Sequence, residues 1–186
     1  RETKPFDIVA INVGSMGAKT AAHLLKYDTV LGTLDADVSF TDDTITVDGK
    51  EFKVLSGRDP AAMPWKEMDV EVIIESTGAF NSLDGGSKHL EAGAKKVVLT
   101  APGTNCPTYV VGVNEEDYNP DEDTVVSNAS CTTNGMASVC KVLEDNFEVQ
   151  YGLMTTTHSY TGGQMILDGR HRDLRRARAG ARNSVP

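Results

Sequence analysis

Short apolar runs that alternate with helical patterns constrain this chain more than any other feature. Asp7–Asn12 is a strand pattern, Ala18–Tyr27 a helix, Glu71–Ser76 a buried strand, and another helix lies near Gly86–Ala92. Lys96–Thr100, Tyr109–Gly112 and Thr124–Asn128 are further strand patterns. Thr44–Val47 and Glu51–Leu55 flank Asp48-Gly49, a dipeptide suited to a hairpin turn. Strands joined through helices run parallel, with the helices covering the crossovers, so the expected class is α/β. Hydrophobic residues at 39% and charged residues at 24% fit a folded chain rather than a disordered one. No apolar run approaches the roughly 18 residues that a membrane span needs. The three cysteines lack zinc-ligand spacing and are too few for a disulfide framework, which points to a reducing compartment.

Near residue 130 the pattern changes to a long helix, Thr132–Phe147, a long strand, Val149–Thr157, and an arginine-rich segment without clear periodicity. We place a domain boundary there, dividing the chain into 1–130 and 131–186. Arg1–Pro5 runs straight into the first strand, and Asn183–Pro186 is loop-like, so we expect a piece cut from a longer protein. The net charge of −9 argues against general nucleic-acid binding, although residues 165–186 hold six arginines against two acids. Glu115–Asp123, with six acids in nine residues and Pro120 among them, is expected to be a solvated loop.

Two residues stand out chemically. Met136, Val139, Cys140, Leu143 and Phe147 form an apolar stripe at helical spacing, which places Cys131 at the helix N-terminus. The helix dipole and its end N–H groups favour a thiolate there and could hold an oxyanion formed by its attack on a carbonyl. The helix climbs about 24 Å, and the strand Val149–Thr157 would return about 30 Å. That return would bring His158 near Cys131, as a nucleophile and its proton-transfer partner. The competing reading is a small core cysteine and a strand-end histidine; Cys140, on the apolar stripe, fits the core reading better. Asn12-x-Gly14-x-x-Gly17, with Asp35 or Asp37 about 20 residues on, is locally a dinucleotide fingerprint whose first glycine is replaced.

These motifs together resemble those of phosphorylating glyceraldehyde-3-phosphate dehydrogenases. Ser127–Asn134 (SNASCTTN) and Thr155–Thr161 (TTTHSYT) resemble the family's active-site segments. Leu24–Asp28, Glu75–Gly78, Thr100–Pro102, Val111–Asn114 and His171–Arg178 match further family motifs, nearly continuously along the chain. Pro64–Glu67 and Pro107–Val111 are most similar to the cyanobacterial and plastid branch, so a plastid location is expected, with the cytoplasm as the alternative.

The resemblance implies an incomplete Rossmann-type doubly wound parallel sheet followed by the start of an α+β catalytic domain. Its register moves Asp7–Asn12 to the family's second strand, with the Gly-rich phosphate turn lying upstream. Residues 1–130 would then be part of an NAD(P)-binding domain, and residues 131–186 the start of the catalytic domain with an arginine loop between subunits. It implies Cys131 as nucleophile and His158 as base, with Ser130, Thr132 and Thr161 as hydroxyls around the substrate and phosphate. Asn12, Val13, Thr77, Thr100 and Arg170 would lie at the cofactor, NAD or NADP. The substrates would be glyceraldehyde 3-phosphate and inorganic phosphate, and the assembly a homotetramer, with no membrane and no dedicated nucleic-acid binding. The 186 residues alone are expected to be inactive. Erythrose-4-phosphate dehydrogenase, or a non-catalytic nucleotide- or RNA-binding relative, are the alternatives. Two departures bear on chemistry: Gly135 replaces a common second cysteine, and Val13 stands where the family usually has Asp. With Arg170 and Ser15 nearby in function, Val13 points to use of NADP.

Overall fold

The computed structural model describes residues 6–186. It divides into two compact units, one reaching Val142 and one starting at Leu143. In the first, β1 (Ala10–Asn12) leads to α1 (Ala18–Lys26) and a short ribbon of β2 (Tyr27–Asp28) and β3 (Gly32–Thr33). Next come β4 (Val38–Phe40), β5 (Thr44–Val47) and β6 (Lys50–Leu55). After these come β7 (Val72–Glu75), α2 (Leu83–Glu91), β8 (Lys96–Leu99), β9 (Val125–Ser127) and α3 (Cys131–Asn146).

The sheet order is β1-β6-β5-β4 in one sheet and β7-β8-β9 in another. β1 runs parallel to β6, and β7, β8 and β9 are parallel throughout. The β5–β6 hairpin turns on Asp48 and Gly49, at φ 48° and 79°, which only a two-residue turn of this hand accommodates comfortably. Two apolar clusters build the unit. Ala18, Ala21 and Ala22 of α1 pack on Ile45 and Val54, with Val13 against them. Trp65, Val70, Ile73, Ala94, Val97, Leu99 and Val125 form the second cluster, on which Ala10 and Leu55 also pack. This is an incomplete Rossmann-type α/β fold.

The α2–β8 connection depends on one glycine. Ser82 caps α2 by accepting from the Gly85 N–H at 3.0 Å, and the helix ends at Ala92, followed by Gly93 at φ 105°. A Cβ on Gly93 would lie 2.4 Å from Lys66 Cβ and 3.0 Å from Lys66 N. Gly93→Ala is therefore expected to destabilise by more than about 2 kcal/mol, read as a lower urea midpoint at unchanged slope.

Two expected strands do not form. At Tyr109–Gly112, pairing stops after an isolated bridge from Thr108 to Ser127. The Asn114 side chain captures the Val110 N–H at 2.9 Å and donates to the Thr108 carbonyl at 3.1 Å, and Gly112 turns at φ 83°. The side chain thus takes backbone groups that a ladder would need. Val149–Thr157 is not a strand either; all nine residues are exposed, and no strand among the described residues pairs with them. An extended segment without a ladder partner gains no hydrogen bonds from extension. The apolar stripe of α3 is exposed at Met136, Val139, Cys140, Leu143 and Phe147.

The second unit is a folded-back loop. A bridge between Met165 and Ala179 closes it, and Asp168 accepts from the Ala179 N–H at 3.0 Å. Asp173 caps the turn Leu174–Arg176 and pairs with Arg175 at 2.7 Å. Hydrogen bonding from Arg175 pulls the Asp173 carboxyl down to about 2.

Candidate active site

Register places three candidate segments at one end of the β7-β8-β9 sheet. Glu75, Leu99 and Ser127 are aligned neighbours at the carboxyl ends of their strands. Thr77, Thr100 and the Asn128–Cys131 turn follow directly. In open α/β sheets this is the end where ligands bind. Thr100 is tied to the β7 end by its N–H on the Glu75 carbonyl at 3.1 Å and by its hydroxyl on Ser76 Oγ at 3.2 Å.

The turn into α3 is built with care for direction. Ser127, fully buried, donates to the Ala101 carbonyl at 2.8 Å and accepts from the N–H groups of Gly103 and Ala129. Ala129 is held at φ 60° with only 4% exposure, a left-handed conformation that costs a non-glycine residue of order 1 kcal/mol. Ser130 then caps α3, its Oγ accepting from the Thr133 N–H at 2.9 Å and lying 2.7 Å from Thr133 Oγ1. Asn134 stitches the turn by donating to the carbonyls of Asn128 and Ser130. The result presents Cys131 as the first helical residue, exposed, with Thr132 half-buried beside it.

Asn12 and Val13 lie at the end of β1. The Asn12 amide is engaged within the chain, donating to the Gly57 carbonyl at 2.9 Å and accepting from the N–H groups of Gly57 and Gly14. Its side chain thus ties the end of β1 to Gly57 and braces the turn in which Gly14 takes φ 61°. Val13 donates its N–H to the Leu55 carbonyl, and its half-buried side chain rests on the α1 cluster.

In the second unit His158 is exposed, and its Nδ1 lies 2.6 Å from the Ser159 carbonyl. A carbonyl only accepts, so Nδ1 carries a proton and donates it in this contact. The Thr161 hydroxyl donates to Gln164 Oε1 at 3.0 Å and accepts from the Gly163 N–H. Arg176 Nε is buried without a hydrogen-bond partner, and its Nη2 lies 3.9 Å from the place of a Cβ on Gly163. Arg170 is exposed. Sequence reasoning took in Ser127, Asn134 and Arg176 only as parts of longer motifs and gave none of them a role. Only the Asn134 spacing, three after a capping serine's helix start, carried a local signal. Among the described residues no group of three or more His, Cys, Asp or Glu side chains could hold a metal ion.

Parallel strands with loops gathered at their carboxyl ends, and a cysteine opening the helix after the last of them, place this unit in the Rossmann class of α/β domains. The family model of the glyceraldehyde 3-phosphate dehydrogenase NAD binding domain matches residues 1–83, and that of its C-terminal domain matches residues 130–186. The chain is 57% identical over its whole length to the chloroplastic glyceraldehyde-3-phosphate dehydrogenase of Chondrus crispus, covering 45% of that protein. It is 53% identical to the chloroplastic B form of Pisum sativum, covering 42%, and 56% identical to the chloroplastic A form of Chlamydomonas reinhardtii, covering 50%. The chain thus spans about half the length of the curated relatives it matches. It belongs to the glyceraldehyde-3-phosphate dehydrogenase family.

Proposed function

We propose that the protein carrying this chain oxidises glyceraldehyde 3-phosphate to an acyl phosphate, using inorganic phosphate and NAD or NADP, and that it works in a plastid. The carrying observation is Cys131, exposed at the capped start of α3 and aimed by the strained, buried turn before it. The chloroplastic relatives support the compartment. A division at residue 130, the chain before it holding cofactor and the chain after it beginning the catalytic domain, accords with where the second family match begins.

In this reading the Cys131 thiolate attacks the aldehyde carbon, and the helix-end N–H groups hold the oxyanion of the hemithioacetal. Nε2 of His158, having taken the thiol proton, gives it to that oxygen to form the hemithioacetal hydroxyl and takes it back as the carbon gives up hydride, leaving a thioester on Cys131. Phosphate then attacks the thioester carbon and releases the thiolate. The nicotinamide ring, when bound, supplies the hydride acceptor. Thr77 and Thr100, just past the carboxyl ends of β7 and β8, are the groups to hold the cofactor, with open space at Gly78 for its approach. Ser130, Thr132 and Thr161, with Arg176, are the groups for phosphate. The arginine loop carries Ile166, Leu167 and Leu174 fully outward, which supports its burial against neighbouring subunits of a homotetramer. In the intact protein, glyceraldehyde 3-phosphate should reduce NAD(P) only when phosphate is present, and acyl phosphate should be trapped as a hydroxamate. Reduction independent of phosphate, or none, would overturn the reading.

Cofactor choice follows from Val13. An acid there would bind two ribose hydroxyls and repel a 2′-phosphate; an apolar side chain packed on the α1 cluster does neither. Arg170 supplies the charge-assisted contact to that phosphate from a neighbouring subunit's loop, and the Ser15 hydroxyl a further one. Wild type is expected to use NADP at least as well as NAD. Val13→Asp and Arg170→Ala are each expected to lower the NADP:NAD ratio of kcat/KM by about tenfold. A wild type that strongly prefers NAD removes the Val13 half of this reading, and an undiminished Arg170→Ala variant removes the other.

A further inference from the structure

The carboxylate of Glu75 ends β7 in the interior, with 4% exposure, beside His89 and Trp65 at 4% each. A buried carboxylate is costly unless its lone pairs are met. An indole nitrogen only donates, so the 3.0 Å bond from Trp65 Nε1 fixes His89 Nδ1 as an acceptor. The ring proton therefore sits on Nε2 and is donated to Glu75 Oε2 at 3.0 Å. Glu75 Oε1 accepts twice from one residue: from the Thr77 N–H at 2.6 Å and from the Thr77 hydroxyl at 2.5 Å.

The consequence lies at Thr77, which is exposed at the carboxyl end of β7. A threonine hydroxyl has one proton and two lone pairs. The proton goes to Glu75, and one lone pair accepts from the Ala79 N–H at 3.1 Å. What Thr77 Oγ1 can still offer a ligand is one acceptor position. A phosphate oxygen needs a donor, so it is the wrong partner; an N–H or O–H group is the right one.

We propose that Glu75, braced by His89 and Trp65, is a positioning residue that locks the Thr77 hydroxyl as an acceptor for a hydrogen-bond donor on the nucleoside portion of the cofactor. This rests on the reading of Thr77 as part of the cofactor site. The chain from Trp65 to Thr77 is continuous, and each link permits only one donor direction. Glu75 thus sets the polarity of a surface group through a buried relay, without touching the ligand.

The test is a set of cofactor affinities in the intact protein, measured by calorimetric titration with NAD and NADP. The emission of Trp65, the one tryptophan of these 186 residues, is recorded beside them as the difference from a Trp65→Phe background. Glu75→Gln and Thr77→Val are each expected to weaken binding about tenfold. Their double mutant should be no weaker than about twice the Thr77→Val value, because both remove the same contact. Thr77→Ser keeps the hydroxyl and should bind within about twofold of wild type. Trp65→Phe keeps a ring in the cluster, provides a milder lesion should Glu75→Gln not fold, and is expected to lose about threefold. Glu75→Gln should shift Trp65 emission, whereas Thr77→Val should not. The expected loss is in affinity and KM, with kcat changed much less.

A double mutant weakened about a hundredfold would show two independent roles and overturn the relay. Wild-type affinity in Glu75→Gln, or in Trp65→Phe where the first does not fold, would overturn it as well. Both outcomes leave the functional reading standing. A wild type that binds neither dinucleotide overturns that reading and this proposal with it.

Discussion

Cys131→Ser is expected to lower dehydrogenase activity by at least about a thousandfold while leaving cofactor affinity within about twofold. The hydroxyl sits at the same capped helix start, but it is far less ionised than a thiol and does not form the thioester that phosphate must cleave. The structure makes the loss selective. The turn that presents residue 131 is held by hydrogen bonds that Ser127, Ser130 and Asn134 make to backbone groups, and the substitution leaves those bonds in place. Alkylation tests the base separately: His158→Asn should slow reaction of Cys131 with iodoacetamide at neutral pH. An unchanged alkylation rate would remove His158 from that role, and appreciable turnover by Cys131→Ser would remove the nucleophile.

Leu99→Ala is expected to cost about 3–4 kcal/mol. Leu99 has no exposed surface and lies in the cluster of Trp65, Val97 and Val125, on the central strand of the β7-β8-β9 sheet. Cβ atoms placed on Gly86 and Gly103 would lie 3.5 and 3.2 Å from its methyl groups, so the backbone already closes around it on two sides. Walls built of backbone collapse poorly into a void, which puts the cost above the lower end of the range. A loss of that size is a large part of the roughly 5–15 kcal/mol that holds a domain together. Urea unfolding followed by circular dichroism should show the drop in midpoint; a shift under about 1 kcal/mol would mean that the cluster repacks.

Much of the fold could be read along the chain because its signals are local. The hairpin at Asp48-Gly49, the alanine face of α1 and the parallel strands β7, β8 and β9 all declare themselves within a few residues. α2 was expected near Gly86–Ala92 and begins at Leu83, because Gly85 and Gly86 hide its first turn while the Ser82 cap supplies it. Tyr109–Gly112 has strand composition, but Asn114 competes for its backbone. The Cys131 motif was readable since a capping serine and a helical stripe lie beside it. The Glu75–His89–Trp65 chain was not, since its links span 14 and 24 residues and obey no period. Donor and acceptor direction emerges only when such residues meet in the interior.

Ala129 carries a consequence for how this sequence can drift. Its positive φ favours glycine, asparagine or aspartate, while its burial against the Ser127 turn admits little more than a methyl group. Glycine would relieve the strain in the folded chain yet free the unfolded one, so the net gain in stability is smaller than the strain relieved. Mutational drift at position 129 is thus filtered by size and backbone angle rather than by reactivity. A substitution there would be felt first as a loss of aim at the neighbouring sulfur, before any loss of folding.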